Sequence, residues 1–289
     1  MVAVGSRSRE RAERFAAEHG IPAFHETYEA LASDPQVDAV YVGTPHAFHE
    51  EHATLCLKHG KHVLCEKPLA INAQEAERMI RTAQVEDRTL MEAMWTRFLP
   101  SMEHLRQIIA DGVIGEPRVL TADFGFRAQF DPSSRLFDPQ LGGGALLDLG
   151  VYIISLAVMI FGAPVDIDGL ANIGSTGVDE ECSFVTRHND GQMTLGVASL
   201  RTDTAREALI QGTRGRIRIH SPWWASAHAT VETDDGGEDT LHLPFRGSGL
   251  THEAEAFMQL AERGERDSSV MPLDESLTVM KAMDALRHQ

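Results

Sequence analysis

Short apolar runs, separated by stretches whose apolar residues recur three and four apart, organise the first third of this chain. The runs Val2–Val4, Ala23–Phe24, Val37–Val42, His62–Cys65 and Thr89–Ala93 read as strands. The stretches Ser8–His19, Tyr28–Ala32, Phe48–His59 and Ala73–Gln84 read as helices, the first with Ser8 placed to cap it. Strands that are apolar along nearly their whole length need cover on both faces, so the pattern predicts a parallel sheet flanked by helices. After Trp95 the rhythm changes. A helix at Ser101–Asp111 leads into a longer strand at Arg118–Phe126, and Val165–Val231 holds several alternating strands that favour an antiparallel sheet. Asp234–Gly237 reads as a hairpin turn, and helices at Leu250–Gly264 and Leu273–Arg287 finish the chain. The expected class is α/β, with a parallel-sheet domain over residues 1–94 and an α+β domain over residues 95–289.

Composition narrows the field of partners. The formal net charge of −17 argues against nucleic acid and against anionic membrane surfaces. The most apolar run, Val151–Phe161, is too short to span a bilayer and fits a core helix. Cys56, Cys65 and Cys182 are odd in number and lack Cys-x-x-Cys spacing, so they read as small buried hydrophobes. No signal-peptide pattern opens the chain, and a reducing cytoplasm is the expected location.

Two segments carry chemistry. Glu66-Lys67-Pro68 follows an apolar strand, at the carboxyl end where open α/β sheets hold ligands. Lys67 is one of only four lysines in the chain, which makes its place at a strand end stand out. A Lys there either snorkels to solvent or offers its amine to a bound hydroxyl. The run from Gly142-Gly143-Gly144 to Tyr152 opens a helix and puts Asp148 and Tyr152 four residues apart on one face. Tyr152 is open to two readings, a proton donor and acceptor or a core side chain with its hydroxyl satisfied. Asp148 is likewise either a partner for Lys67 or a local polar contact. Brought together, a Lys, a Tyr and an Asp make a proton-transfer site in which the Lys charge lowers the Tyr pKa. His46, His49 and His52 recur every third residue, a step that rotates around a helix, and no Cys or carboxylate completes a ligand set. No metal is expected.

Glu66-Lys67-Pro68, taken with the Gly-Gly-Gly-x-Leu-x-Asp-x-Gly-x-Tyr run, resembles the Gfo/Idh/MocA family of nicotinamide-dependent oxidoreductases. Met94–Pro100, Arg135–Pro139, Gly212–Gly215 and His252–Glu255 extend the likeness to its dihydrodiol and NADP-dependent D-xylose dehydrogenase branch. The resemblance implies a Rossmann-type parallel sheet followed by a domain with a large, mostly antiparallel open sheet, through which copies pair as a homodimer or higher oligomer. It implies hydride transfer between a nicotinamide and a secondary alcohol of a sugar, polyol or trans-dihydrodiol. Tyr152 is then the acid and base, with Lys67 and Asp148 beside it. Pro68 in such proteins sits on a cis bond that aims the Lys. Ser6 and Arg7 end the strand that usually carries an acid for the ribose 2′-hydroxyl, and an Arg there favours NADP over NAD. Thr44, Pro45, His46 and His49 match the family's ribose-contacting turn, with Glu66 and Lys67 completing the cofactor side. Trp95, Arg97, Phe126 and Arg127 match substrate-pocket positions, although the aromatics among them could equally be core.

The chain departs from the family at its start. Met1–Arg7 matches the family's second strand, and no Gly-x-Gly-x-x-Gly turn occurs anywhere. Roughly 25–35 residues, the length of a βα unit with its glycine turn, would precede it. The expectation is a wrongly assigned start rather than a naturally short enzyme, because losing a central strand leaves its two neighbours unpaired or forces them to close over the gap. The alternative is a non-catalytic family member that acts as a binding or assembly module.

Overall fold

In the computed structural model, which describes residues 1–288, the N-terminal third alternates as its apolar runs predict. Strands β1 (Ala3–Gly5), β2 (Ala23–His25), β3 (Ala39–Val42), β4 (His62–Glu66) and β5 (Leu90–Ala93) are interleaved with helices α1 (Arg9–His19), α2 (Tyr28–Ala32), α3 (His49–Lys58) and α4 (Ala73–Val85). Local chemistry sets the helix ends. The Ser8 hydroxyl accepts from the Arg11 amide, and Gly20 closes α1 at φ 64°, where a side chain would be strained. Asn72 caps α4 by accepting from the Glu75 amide at 2.8 Å.

The parallel sheet is in two pieces. β1 pairs with β2, and β3, β4 and β5 pair in that order, with no backbone ladder between β1 and β3. β1 and β3, the two strands expected to lose a common neighbour, do not pair with each other.

Past β5 the chain adds α5 (Pro100–Ala110) and β6 (Pro117–Gly125), then α6 (Val151–Phe161). Seven strands follow: β7 (Pro164–Ile173), β8 (Asp179–His188), β9 (Met193–Ser199), β10 (Ala208–Gly212), β11 (Gly215–Ile219), β12 (His228–Thr233) and β13 (Glu238–His242). With β6 they form an eight-stranded open sheet in the order β13-β12-β11-β10-β6-β9-β8-β7. Every pairing is antiparallel except β6 with β9. Helices α7 (Leu250–Glu262) and α8 (Leu273–Arg287) complete the described chain.

The most apolar helix is longer than its sequence suggests. Helical backbone runs from Ala145 through Leu146–Gly150 to Phe161, and an 18-residue window within Pro139–Phe161 reaches a mean hydropathy of 2.2, apolar enough for a membrane. Its apolar window is 83% buried inside the protein, as befits a core helix. It packs between the large sheet and α8, and α8 also rests on α4, so one continuous core ties both sheets together. On the other side of the small sheet, Phe257 and Leu260 of α7 cover Leu64, Met91 and Ala93.

Candidate active site

A cavity of about 560 Å³ opens where the carboxyl ends of β3 and β4 face α6 and β6. That volume suits a small polar molecule together with part of a larger one. Thr44, Pro45 and His46 line it from the turn after β3, Glu66 and Lys67 from the end of β4, and Trp95 from the turn after β5. Phe124 and Phe126 enclose the opposite wall, and Asp148 and Tyr152 come from the helix.

Asp148 does not lie on a regular α-helix, while Tyr152 sits in the first turn of α6. Leu146–Gly150 forms a π-helical turn that leads into α6, a wider winding often found at functional sites. Lys67 reaches across to it, and its amine donates to the Asp148 main-chain oxygen at 2.8 Å and to Oδ1 at 3.1 Å. The same nitrogen stands 4.8 Å from the centre of the Tyr152 ring, over its face. The Lys67–Pro68 peptide is cis. Arg135 donates to Asp148 Oδ1 at 2.8 Å, so one buried carboxylate bridges two cations.

Charge and burial compete at each group. Burial opposes ionisation of Asp148, yet Lys67 and Arg135 hold its carboxyl far below the usual range. Burial likewise opposes the Lys67 charge, but the interactions with Tyr152 and with the Asp148 carboxylate more than offset it and raise its pKa. For Tyr152 the balance goes the other way. Burial raises its pKa, and the pull of Lys67 and of the Trp95 hydrogen bond only partly offsets this. The sequence pattern alone predicts a net lowering by Lys67; in the structure burial outweighs that charge.

Trp95 fixes the tyrosine hydroxyl. Its Nε1 donates to the Tyr152 oxygen at 2.9 Å. A hydroxyl that is already an acceptor keeps its own proton to give, and one further lone pair, for whatever enters the cavity.

The histidines divide by role. His46 Nδ1 donates to the Gly142 carbonyl at 2.9 Å, which leaves Nε2 as the bare nitrogen, 3.8 Å from Asp148 Oδ1. Burial, with Lys67 second, lowers the His46 pKa to about 4, so the ring is a neutral acceptor at the cavity wall. Gly142 permits this approach: a Cβ there would lie 2.8 Å from the His46 Cβ, and its φ of 77° suits only glycine. His49 lies behind the wall. Its two nitrogens sit 2.8 Å from the carbonyl oxygens of Pro68 and Thr44, so the ring braces those two turns and does not face a ligand. His52 Nδ1 lies 3.0 Å from the Thr44 hydroxyl.

Two expected substrate contacts are displaced. Arg97 is 3% exposed and turned inward, where it donates to the Ser155 hydroxyl and carbonyl and pairs with Glu275. It ties α6 to α8 and is absent from the cavity wall. Arg127 lies in an adjoining open groove, which meets the cavity only at Phe126. Trp95 and Phe126 do line the cavity. Ser6 and Arg7 follow β1, and the Arg7 guanidinium lies 5.3 Å from the centre of the Phe48 ring, beside the turn after β3.

Several residues to which the sequence reading gave no role of their own join the site. Arg135 completes the Asp148 bridge, and the Tyr41 hydroxyl donates to Glu66 at the cavity edge. Glu253 of α7 is 1% exposed, and burial, with Glu66 and Glu92 nearby, pushes its carboxyl up to about 9. It therefore stands as a neutral acid beside the end of β4. Buried acids of this kind leave no local sequence signal.

The chemistry at the two ends of this arrangement would suit a dinucleotide. Arg7 offers a cation and Phe48 a flat face where an adenosine phosphate would lie, and the turns after β3 and β4 meet a second ribose at the cavity. No glycine turn for a pyrophosphate is present among the described residues.

Comparison with known proteins bears on the family and the fold. Residues 1–94 match a family model described as an oxidoreductase family with an NAD-binding Rossmann fold. Residues 102–218 match the GFO/IDH/MocA C-terminal domain. The chain is 34% identical over 296 residues to trans-1,2-dihydrobenzene-1,2-diol dehydrogenase of Xenopus tropicalis, covering 100% of this chain and 89% of that protein. The Homo sapiens protein of the same name is 34% identical, with 99% and 87% covered. Among solved structures, the 3-ketoreductase KijD10 of Actinomadura kijaniata, in complex with NADP and TDP-benzene, superposes with a TM-score of 0.89 at 28% identity, covering 100% and 89%. Aldose-aldose oxidoreductase of Caulobacter crescentus, complexed with glycerol, shares the fold at a TM-score of 0.90 and 23% identity, covering 100% and 88%.

Proposed function

Because the chain belongs to the Gfo/Idh/MocA oxidoreductase family, we propose that it moves hydride between NADP and a secondary alcohol of a sugar, polyol or trans-dihydrodiol, without a metal. The observation that carries this reading is the meeting of Lys67, Asp148 and Tyr152 in the wall of one cavity at the strand ends. Bound NADP would supply the hydride acceptor, or its reduced form the donor. Tyr152 takes the hydroxyl proton in oxidation and returns it in reduction, with Trp95 fixing the direction of its oxygen. Lys67 stays charged, donates its remaining proton towards the substrate and steadies the tyrosinate as it forms. Asp148, ionised between Lys67 and Arg135, supplies the counter-charge for that amine. Phe124 and Phe126 offer flat apolar faces to a ring or carbon chain. Ser6 and Arg7 would hold the 2′-phosphate, and Thr44, Pro45, His46, Glu66 and Lys67 the nicotinamide ribose.

The large sheet supports pairing of two copies. Val185, Met193, Leu195 and Val197 of β8 and β9 are each 41–44% exposed on a single face. A second copy covering that face would bury them. Sedimentation equilibrium should return a dimer mass that Leu195→Asp lowers to the monomer; a monomeric wild type would reject this part of the reading. Three buried cysteines without a disulfide suit a cytoplasmic location.

Fluorescence titration with NADPH, and NADH as control, tests the cofactor. Saturable NADPH binding is expected, weakened about 10- to 100-fold by Arg7→Ala as charge-assisted bonds are lost. NADH binding should change little. No saturable binding to the folded chain would reject the NADP site read from these residues and favour the alternative, a non-catalytic binding or assembly module.

A further inference from the structure

The π-turn that carries Asp148 has no side-chain cap of its own, since Ala145 occupies the cap position. Its first amides are served from another element. Asp179, the first residue of β8, accepts from the Leu146 amide through Oδ2 at 2.6 Å. The Ala145 amide also pulls on the same carboxylate. β8 starts here because the tight turn over 174–177 closes with the Gly174 amide on the Val178 carbonyl at 2.8 Å. The fit leaves no slack: a Cβ on Gly144 would lie 2.2 Å from Asp179 Oδ1. The third glycine of the Gly142–Gly144 run thus makes room for a carboxylate 35 residues ahead in sequence.

We propose that Asp179 is a positioning residue for the reaction, a cap delivered from the large sheet that fixes the winding of the turn and so the places of Asp148 and Tyr152. This rests on the roles given to those two residues under the proposed function. A carboxylate at a helix start satisfies amides that would otherwise fray and complements the dipole. Here the fraying end is Leu146, two residues before Asp148. Loss of the cap would let the turn rewind, shifting the Asp148 oxygens from Lys67 and the Tyr152 hydroxyl from Trp95. The charged and titratable groups facing Asp179 are Arg287 of α8 and Cys182 of β8. Burial pushes the Asp179 carboxyl up to about 6 against the pull of the Leu146 amide, so the cap is charged above that pH and neutral below it.

The test uses two indole resonances and turnover in the full chain. The Trp95 Nε1–H reports the Tyr152 hydroxyl directly, and the Trp223 Nε1–H, bonded to the Asp123 carbonyl at 2.9 Å, is the internal control. Asp179→Ala should shift the Trp95 resonance and leave that of Trp223 in place. Asp179→Asn, which keeps one acceptor oxygen, should restore most of the shift. The Leu146 amide resonance should follow the titration of Asp179 near pH 6 in the wild type and show no such step in Asp179→Asn. Asp179→Ala should lower kcat roughly 10- to 100-fold, the scale of a small misplacement, with KM nearly unchanged. A Trp95 resonance indifferent to Asp179→Ala, or an unchanged kcat beside a shifted resonance, would overturn the inference. Should the wild type lack turnover, the proposed function fails on its own, and the indole comparison still decides the positioning claim.

Discussion

Lys67→Met lowers kcat/KM by about 10³- to 10⁴-fold, the largest single effect expected of any substitution in this chain. Methionine approximates the lysine stem in length, so the packing around Pro68 and α6 is kept while the amine is lost. The amine has three tasks in the structure. It bonds Asp148 twice, it places a positive charge over the Tyr152 ring, and it keeps one proton free for the cavity. Without it, Asp148 loses one of its two cations, and only the Trp95 hydrogen bond is left to offset burial of the tyrosine. Steady-state turnover of a vicinal diol with NADP, set beside thermal unfolding of the same sample, measures the effect. A variant that folds normally and keeps more than a tenth of wild-type kcat/KM would remove Lys67 from the chemistry.

Tyr152→Phe is expected to lower kcat roughly 10³-fold with KM little changed, because the hydroxyl serves the proton transfer more than ground-state binding. The pH profile gives the sharper distinction. Burial raises the Tyr152 pKa and Lys67 pulls it partly back, so the tyrosinate is scarce at neutral pH and increases towards alkaline pH. Alcohol oxidation needs that base form, so wild-type kcat/KM rises with pH through the alkaline range. The phenyl ring of the variant cannot titrate, and the alkaline rise disappears. The substitution also strips the Trp95 indole of its acceptor, at a cost of about 1–3 kcal/mol in stability. Equal pH profiles for the two proteins would assign the proton to another group.

The periodic parts of the fold are open to reading from sequence because each rests on local rules. Ser8 caps its helix, Asp234–Gly237 turns its hairpin, and α8 spans Leu273–Arg287 as its pattern predicts. Lys67, Asp148 and Tyr152 are visible for a related reason: a polar residue at the end of a buried strand, or on an apolar helix, violates its surroundings. Arg97 shows where this reasoning stops. The family resemblance puts it at a substrate-pocket position, and only the approach of Glu275 and Ser155 turns it inward. Arg135 and Asp179 are equally hidden. Each acts on the turn from a distant loop or strand, through a contact that no spacing rule encodes. The π-winding of Leu146–Gly150 belongs to the same class, since its sequence is also compatible with a plain α-helix.

The double hold of Asp148 on Lys67 separates location from charge. The shorter bond, at 2.8 Å, goes to the main-chain oxygen, which any residue at that position would supply. The longer one, at 3.1 Å, goes to the carboxylate, which only an acid provides. The site of the ammonium group is therefore written in the backbone and its counter-ion in the side chain. Asp148→Asn would leave the lysine where it stands but unneutralised, and a redesign of the pocket can tune the local field there without moving the amine.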